Sequence, residues 1–156
     1  MQRARVLIRR FCALLALFFV IHAAPGAHAA LGDDVTAVAA DQARLQATLQ
    51  VRQNSHFTIH ELSAPTGVKV REFANHNGKI FAVSWSGGWR PNLRDIMGAH
   101  YEQLIAATRG RRIARGPVRI DLPGMVLVMG GPQRAHFGRV YLTDLLPADV
   151  APEAIQ

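Results

Sequence analysis

The chain has 156 residues, the length of a single domain, and its 18 basic and 11 acidic residues give a formal net charge of +7. Its one cysteine, Cys12, excludes an intrachain disulfide, so the hydrophobic core alone must hold the fold. Four arginines lie within the first ten residues, so the basic excess is concentrated at the N-terminus.

Residues 1–29 have the three parts of a secretory signal peptide. The arginines precede an apolar core at 11–24 and a small-x-small motif at 27–29, so we expect cleavage between Ala29 and Ala30. The apolar run is shorter than the ~20 residues of a membrane span, which makes an uncleaved anchor helix the less favoured alternative. The mature chain would have no transmembrane segment and would be periplasmic or secreted.

Loss of this segment removes four arginines and no acidic residue, which lowers the net charge from +7 to +3. The mature chain would also contain no cysteine, because Cys12 lies in the apolar core. The remaining charge does not indicate a nucleic-acid-binding protein, and we expect no such partner.

The first predicted elements of the mature chain are a helix and a meander of strands. Apolar residues recur at spacings of three and four over about 33–50, and Asp33 or Asp34 suits the first turn of a helix there. Segments rich in β-branched and aromatic residues then predict strands at 56–63, 67–74 and 79–86.

The third of these strands and the helix that follows it have the clearest patterns. Residues 79–86 alternate large apolar with small residues, which indicates a central strand covered on both faces. After a Gly-Gly-Trp loop, a second helix is predicted over about 92–108, with Asn92 as N-cap and Gly110 just past its end.

Further strands are predicted near 118–131 and 135–143, and residues 147–156 are expected to form a loose C-terminal tail. The sequence therefore predicts an α+β fold in a single domain over 30–146. Its antiparallel sheet would have about five to six strands, packed by the two helices.

Several motifs of the mature chain occur in the same order in a known family. They are Asp41-Gln42-Ala43-Arg44, Phe57-Thr58-x-His60-Glu61, Val70-Arg71-Glu72-Phe73, Gly78 to Trp85 and Pro91-x-Leu93-Arg94. Over nearly the whole mature chain, the sequence resembles a group of small secreted proteobacterial proteins catalogued as domain of unknown function 2844. The resemblance implies an exported single domain of a Gram-negative bacterium, and it assigns no catalytic residue.

The histidines do not have the spacing of a metal site. His56 and His60 are four residues apart, but in a strand this spacing separates them by roughly 13 Å. A site assembled across elements from His60, Glu61 or Glu72 is the alternative. We expect no metal and no other cofactor.

Ser86 lies between a strand and a helix, as the nucleophile of a Gly-x-Ser-x-Gly motif does, with Gly88 in place. Ser84 replaces the first glycine, and no spacing identifies the histidine and acid of a triad. A periplasmic hydrolase or metal-dependent enzyme therefore remains the alternative function, and no catalytic residue is assigned.

Trp89 and Arg90, on the loop after the glycines, are residue types typical of binding hot spots. The alternative is that Trp89 folds back as a lid on the core. A second candidate is a basic loop, which would bind phosphate groups of lipopolysaccharide or anionic lipids, or would simply be solvated. Its arginines are Arg109, Arg111, Arg112 and Arg115.

These observations favour a non-catalytic binding or accessory protein of the bacterial cell envelope. The Trp89–Arg90 loop would provide the main contact, and the basic loop a further one. We expect the partner to be an envelope protein or an anionic envelope component.

Overall fold

The computed structural model describes residues 31–110 and 116–156. The predicted signal peptide and its cleavage site at Ala29 and Ala30 lie outside these residues, as do Arg111, Arg112 and Arg115 of the basic loop.

Seven antiparallel strands form one sheet in the described residues, in the order β1-β2-β3-β4-β7-β6-β5. The strands are β1 Thr48–Gln53, β2 Thr58–Ser63, β3 Lys69–Ala74, β4 Ile80–Gly87, β5 Val118–Leu122, β6 Met125–Gly130 and β7 His136–Leu142. Every pairing joins strands that are consecutive in the chain, except the central one between β4 and β7. The α+β class is confirmed, and the sheet has one strand more than predicted.

Three short α-helices accompany the sheet in the described residues: α1 Val38–Leu45, α2 Leu93–Met97 and α3 Tyr101–Thr108. Two side chains cap the helical segments as predicted, because Asp34 accepts a hydrogen bond from the Thr36 amide and Asn92 accepts one from the Arg94 amide. No helix in the described residues has both the length and the hydropathy needed to cross a membrane.

The first helix is shorter than the predicted 33–50. It ends at Leu45 because Gln46 takes the left-handed conformation, with a φ of 50°. The chain then reverses, and residues 48–53 pair with β2, with Leu49 opposite Leu62. The helical spacing that runs on to Leu49 is therefore misleading, and this segment is the seventh strand at the sheet edge.

The second helix is interrupted rather than continuous over 92–108. Gly98, with a φ of 50° and a ψ of −124°, ends α2, and a 3₁₀ turn leads into α3. Glycine adopts this conformation without the steric cost that other residues meet. Gly110, with a φ of 75°, follows the end of α3 as predicted.

The hydrophobic core lies on both faces of the sheet. On the face that carries the helices, here called the helix face, strand residues such as Val83, Trp85 and Leu127 are buried together with Met97 of α2. The opposite face carries a triplet of phenylalanines with ring centroids 5.7 to 6.2 Å apart, namely Phe57, Phe73 and Phe81. We call this second face the tail face.

The C-terminal segment 147–156 packs on the tail face, which corrects the expectation of a loose tail. Val150 and Ile155 are buried against the phenylalanines. Arg139 Nη1 donates a hydrogen bond to the Ile155 carbonyl oxygen at 3.2 Å, and Arg71 donates one to the Gln156 oxygen. The segment is short and irregular, so its two apolar anchors form no periodic pattern that a sequence-based prediction can use.

Candidate functional site

An open cleft of about 940 Å³ lies at the end of the sheet where β4 ends and β7 begins. The loop after β4 forms one wall, and the turn between β6 and β7 forms another. We call it the Trp89 cleft. Its lining residues are Thr66, Gly88, Trp89, Arg90, Gln133, Arg134 and His136.

Trp89 is 72% exposed, whereas Trp85 is 3% exposed in the core. The alternative in which Trp89 covers the core is therefore wrong. Gly87, with a φ of 145°, passes so close to the β2–β3 turn that a Cβ on it would lie 2.7 Å from the Gly67 carbonyl oxygen. Only glycine fits this crossing, after which the chain leaves the sheet and carries Trp89 into solvent.

The β6–β7 turn holds Arg134 in the left-handed region, with a φ of 77°, which few residues other than glycine adopt. The Ala135 amide closes the turn by donating to the Pro132 carbonyl oxygen at 3.0 Å. A Cβ on Gly88 would lie 3.6 Å from the Arg134 carbonyl oxygen, so the two walls of the cleft meet at this point. The local backbone thus places Arg134 and Trp89 on one cleft.

The Trp89 cleft is positively charged, and no carboxylate is among its described lining residues. Arg90 and Arg134 form no ion pair within the described chain. The Nδ1 of His136 is buried and has no hydrogen-bond partner there either. Because arginine presents a planar fork of donors, both arginines are suited to carboxylate or phosphate groups.

Arg109 is exposed at the end of α3 and does not line the Trp89 cleft. After the basic loop the chain re-enters the sheet at Pro117, whose Cα lies 3.1 Å from the place a Cβ on Gly130 would take. Gly130 is the last residue of β6. The chain therefore re-enters the sheet at the end that carries the β6–β7 turn.

Ser86 and His136, the histidine that lines the Trp89 cleft, point to opposite faces of the sheet. Ser86 pairs with Phe137, and Gly87 pairs with His136. Because neighbouring residues of a strand point to opposite faces, Ser86 lies on the tail face with Phe137, while His136 points the other way. These two side chains therefore do not form a nucleophile–base pair.

The histidines are dispersed over the fold. In the described residues, no group of three or more histidine, cysteine, aspartate or glutamate side chains is placed to hold a metal ion. His76 Nε2 contacts the Ser55 carbonyl oxygen at 3.0 Å, and neither residue lines the Trp89 cleft. His60 and Glu72 are cross-strand partners, whereas Glu61 points to the opposite face of β2.

A buried acidic pair, Asp41 and Glu72, is missing from the sequence-based predictions. Glu72 is 1% exposed on the helix face, beside Asp41 of α1, and neither Glu72 carboxyl oxygen has a hydrogen-bond partner of good geometry in the described residues. Burial raises the pKa of Glu72 to about 9, and the neighbouring charge of Asp41 adds to the rise. The sequence carries one signal of this burial. Glu72 lies two residues after Val70 in β3, so both side chains point to the same, apolar face of the strand.

Comparison with curated proteins and with solved structures finds no match. A family model, however, matches residues 27–155, which include every described residue except the last. The match spans the Trp89 cleft, the buried acidic pair and the C-terminal segment. The chain therefore belongs to the family described as protein of unknown function (DUF2844).

Proposed function

We propose that this protein is exported and acts as a non-catalytic binding or accessory protein of the bacterial cell envelope, with the Trp89 cleft as its contact site. The observation that carries the proposal is the 72% exposure of Trp89 in a cleft that also holds two arginines without ion pairs. Tryptophan and arginine are the residues most enriched among binding hot spots.

The partner we propose is an anionic envelope component that presents phosphate or carboxylate groups. Arg90 and Arg134 would bind these groups through charge-assisted hydrogen bonds, and Trp89 would pack against the adjoining apolar part. The basic loop predicted from the sequence is proposed as a further contact for the same anionic groups.

Export rests on the predicted signal peptide and is tested separately. The protein is produced from the full chain in a Gram-negative cell, and the mass of the form recovered from the periplasm is measured. We expect the mass of residues 30–156. Recovery of the full-length chain in the cytoplasm would contradict export without bearing on the cleft.

The cleft is tested with the paired variant Trp89→Ala/Arg90→Ala. Binding of the purified protein to isolated envelope fractions is measured by co-sedimentation, and we expect the variant to bind at least roughly tenfold more weakly. The matched control is Val51→Ala/Arg52→Ala, which removes an exposed apolar–arginine pair from the far edge strand. Equal loss in both variants, or no loss in the first, would contradict the site assignment.

The alternative of a periplasmic hydrolase or metal-dependent enzyme has less support, because Ser86 and His136 lie on opposite faces of the sheet. It predicts hydrolysis of a chromogenic ester that Ser86→Ala abolishes. We expect the rate of ester hydrolysis to be the same for Ser86→Ala and the unaltered protein.

A further inference from the structure

A groove of about 380 Å³ lies on the tail face beside the C-terminal segment. Its sides are formed by β3, β4, β6, β7 and the last two residues of the chain. The residues that matter for its chemistry are Lys69, Arg71, Val128, Phe137, Arg139 and Ile155. The groove is separate from the Trp89 cleft, and the residues that line the two sites differ.

One part of the groove is apolar. Phe137, the second residue of β7, is 45% exposed although β4 and β6 pair with it on both sides, and Val128 on β6 is only partly buried. Ile155 contributes the edge of the docked C-terminal segment. Together these side chains give the groove a concave apolar lining, which is typical of small-molecule sites.

The other part of the groove offers positive charge. Arg139 Nη1 is engaged with the Ile155 carbonyl oxygen, but its Nε is buried and has no partner in the described residues. Buried donors are almost always satisfied, so this donor shows that the fold does not use the whole guanidinium of Arg139. Lys69 Nζ lies 3.9 Å from Glu61, too far for a hydrogen bond, and remains half-exposed.

Arg71 has a different role, because both of its sides are already occupied. Its Nε donates to Glu61 at 2.7 Å, and Nη1 donates to the Gln156 oxygen. Arg71 therefore positions Glu61 and the C-terminal segment. The charge that remains available to a ligand comes from Arg139 and Lys69, and no aspartate or glutamate side chain is among the described residues that line the groove.

We propose that this groove binds a small anionic amphiphile, a molecule with an apolar chain or ring and one carboxylate or phosphate group. The apolar body lies against Phe137 and Val128, and the acidic group accepts hydrogen bonds from Arg139 and Lys69. The volume of about 380 Å³ lies within the ~300–1,000 Å³ of ordinary small-molecule pockets, so the groove fits a single-chain molecule rather than a whole polymer.

The experiment titrates the purified protein with decanoate by isothermal calorimetry, below the concentration at which decanoate forms micelles. We expect one saturable site, and roughly tenfold weaker binding in Arg139→Gln, because a hydrogen bond to a charged group is lost. Arg139→Gln also removes a hydrogen bond to the C-terminal segment, so a second variant is needed that keeps this bond. Phe137→Ala is that variant, and it should weaken binding to a similar degree. Arg119→Gln, an exposed arginine paired with Asp121 outside the groove, is the matched control.

Three further measurements separate the possible sources of the anion. Decanol tests whether the charge is needed, inorganic phosphate tests whether the apolar body is needed, and vesicles of phosphatidylglycerol test whether the lipid must lie in a bilayer. Decanoate binding that exceeds both decanol and phosphate supports the proposal. Equal binding of decanol, binding to vesicles alone, or unchanged binding in both groove variants would overturn it. Trp89→Ala should leave decanoate binding unchanged, so failure here is distinct from failure of the Trp89 cleft.

Discussion

The two faces of the sheet are covered in different ways, although the same strands form both. On the helix face, α1 to α3 cover a continuous apolar layer. On the tail face, the C-terminal segment covers only the part around the phenylalanines and leaves the groove open. The helical cover provides stability, and the incomplete cover of the tail face leaves side chains available for binding.

Two glutamates on neighbouring strands show the same contrast in electrostatic terms. Glu61 on the tail face is buried, but the hydrogen bond from Arg71 holds its pKa below the usual range. Glu72 on the helix face is buried beside another acid, and its pKa is raised. A carboxylate is therefore tolerated as an anion on the tail face, whereas the helix face favours the neutral acid.

The largest expected difference between the faces is in packing. Leu127 and Val128 are adjacent on β6, with Leu127 fully buried on the helix face and Val128 at the groove. We expect Leu127→Ala to lower the free energy of unfolding by ~3 kcal/mol, because it leaves a cavity in the core. Val128→Ala should cost less than about 1 kcal/mol. Urea unfolding of both variants tests this, and equal losses would show that the two faces are packed alike.

Gly138 tests the contact between the central strands. A Cβ at this position would lie 2.2 Å from Cζ2 of Trp85, its cross-strand partner on the helix face. Gly138→Ala should therefore displace the indole ring and destabilise the fold by about 1–3 kcal/mol. Gly88→Ala is the control, since a Cβ there meets nothing closer than 3.6 Å. If both variants melt at the same temperature, Trp85 is less tightly packed than the structure indicates.

The two glutamates should change stability in opposite directions with pH. Because the folded-state pKa of Glu72 is raised from 4.5 to about 9, its stabilising contribution is complete below 4.5 and is lost as the pH rises toward 9. Glu72→Gln should thus be more stable than the unaltered protein by about 1–2 kcal/mol at pH 8, and the gain should shrink toward pH 5.

Glu61 has a lowered folded-state pKa, so its contribution is present above its ordinary pKa of 4.5 and is lost as the pH falls through the folded-state value. Glu61→Gln should therefore destabilise the protein at pH 8, and the loss should diminish in acid. Urea midpoints at pH 5, 6.5 and 8 measure Glu72→Gln, and midpoints at pH 8 and at a pH below 4.5 measure Glu61→Gln. A Glu72→Gln effect that is destabilising at pH 8 would contradict the assigned environment.

The smallest expected effect on stability is at the Trp89 cleft. Trp89 is largely exposed, so Trp89→Ala should change the free energy of unfolding by no more than about 0.5 kcal/mol. Thermal unfolding of this variant, followed by circular dichroism, gives the measurement. A drop of several degrees in the melting temperature would mean that Trp89 packs against the fold in solution and is not a free contact site.

Local signals account for most of the fold that the sequence predicts. The alternation in β4, the Asn92 cap and Gly110 at the end of α3 each act over a few residues, and the structure has all three. The break at Gly98 is harder to foresee, because the apolar spacing continues on both sides of it. In that case the backbone conformation of one glycine, rather than the pattern, decides the helix end.

The features that the sequence does not predict depend on distant contacts. Residues 48–53 have helical spacing, but their pairing with β2 makes them a strand. The exposure of Trp89 depends on how closely the chain passes Gly67, which no local pattern reveals. The groove likewise requires β3, β7 and the C-terminal segment to come together. The residue types of Trp89 and Arg90 can therefore be recognised in the sequence, but their grouping with Arg134, and the groove as a whole, cannot.

The pairing of β4 with β7 also has a consequence for the kinetics of folding. It joins a four-strand meander, β1 to β4, to a three-strand meander, β5 to β7, and it must close the whole segment between Gly87 and His136. The hairpins within each meander form early because their loops are short. Pairing β4 with β7 closes a much longer loop and therefore costs more chain entropy. We therefore expect docking of the two meanders to limit the refolding rate in stopped-flow experiments. Substitutions along this seam should slow refolding, whereas substitutions in the edge strand β1 should mainly accelerate unfolding.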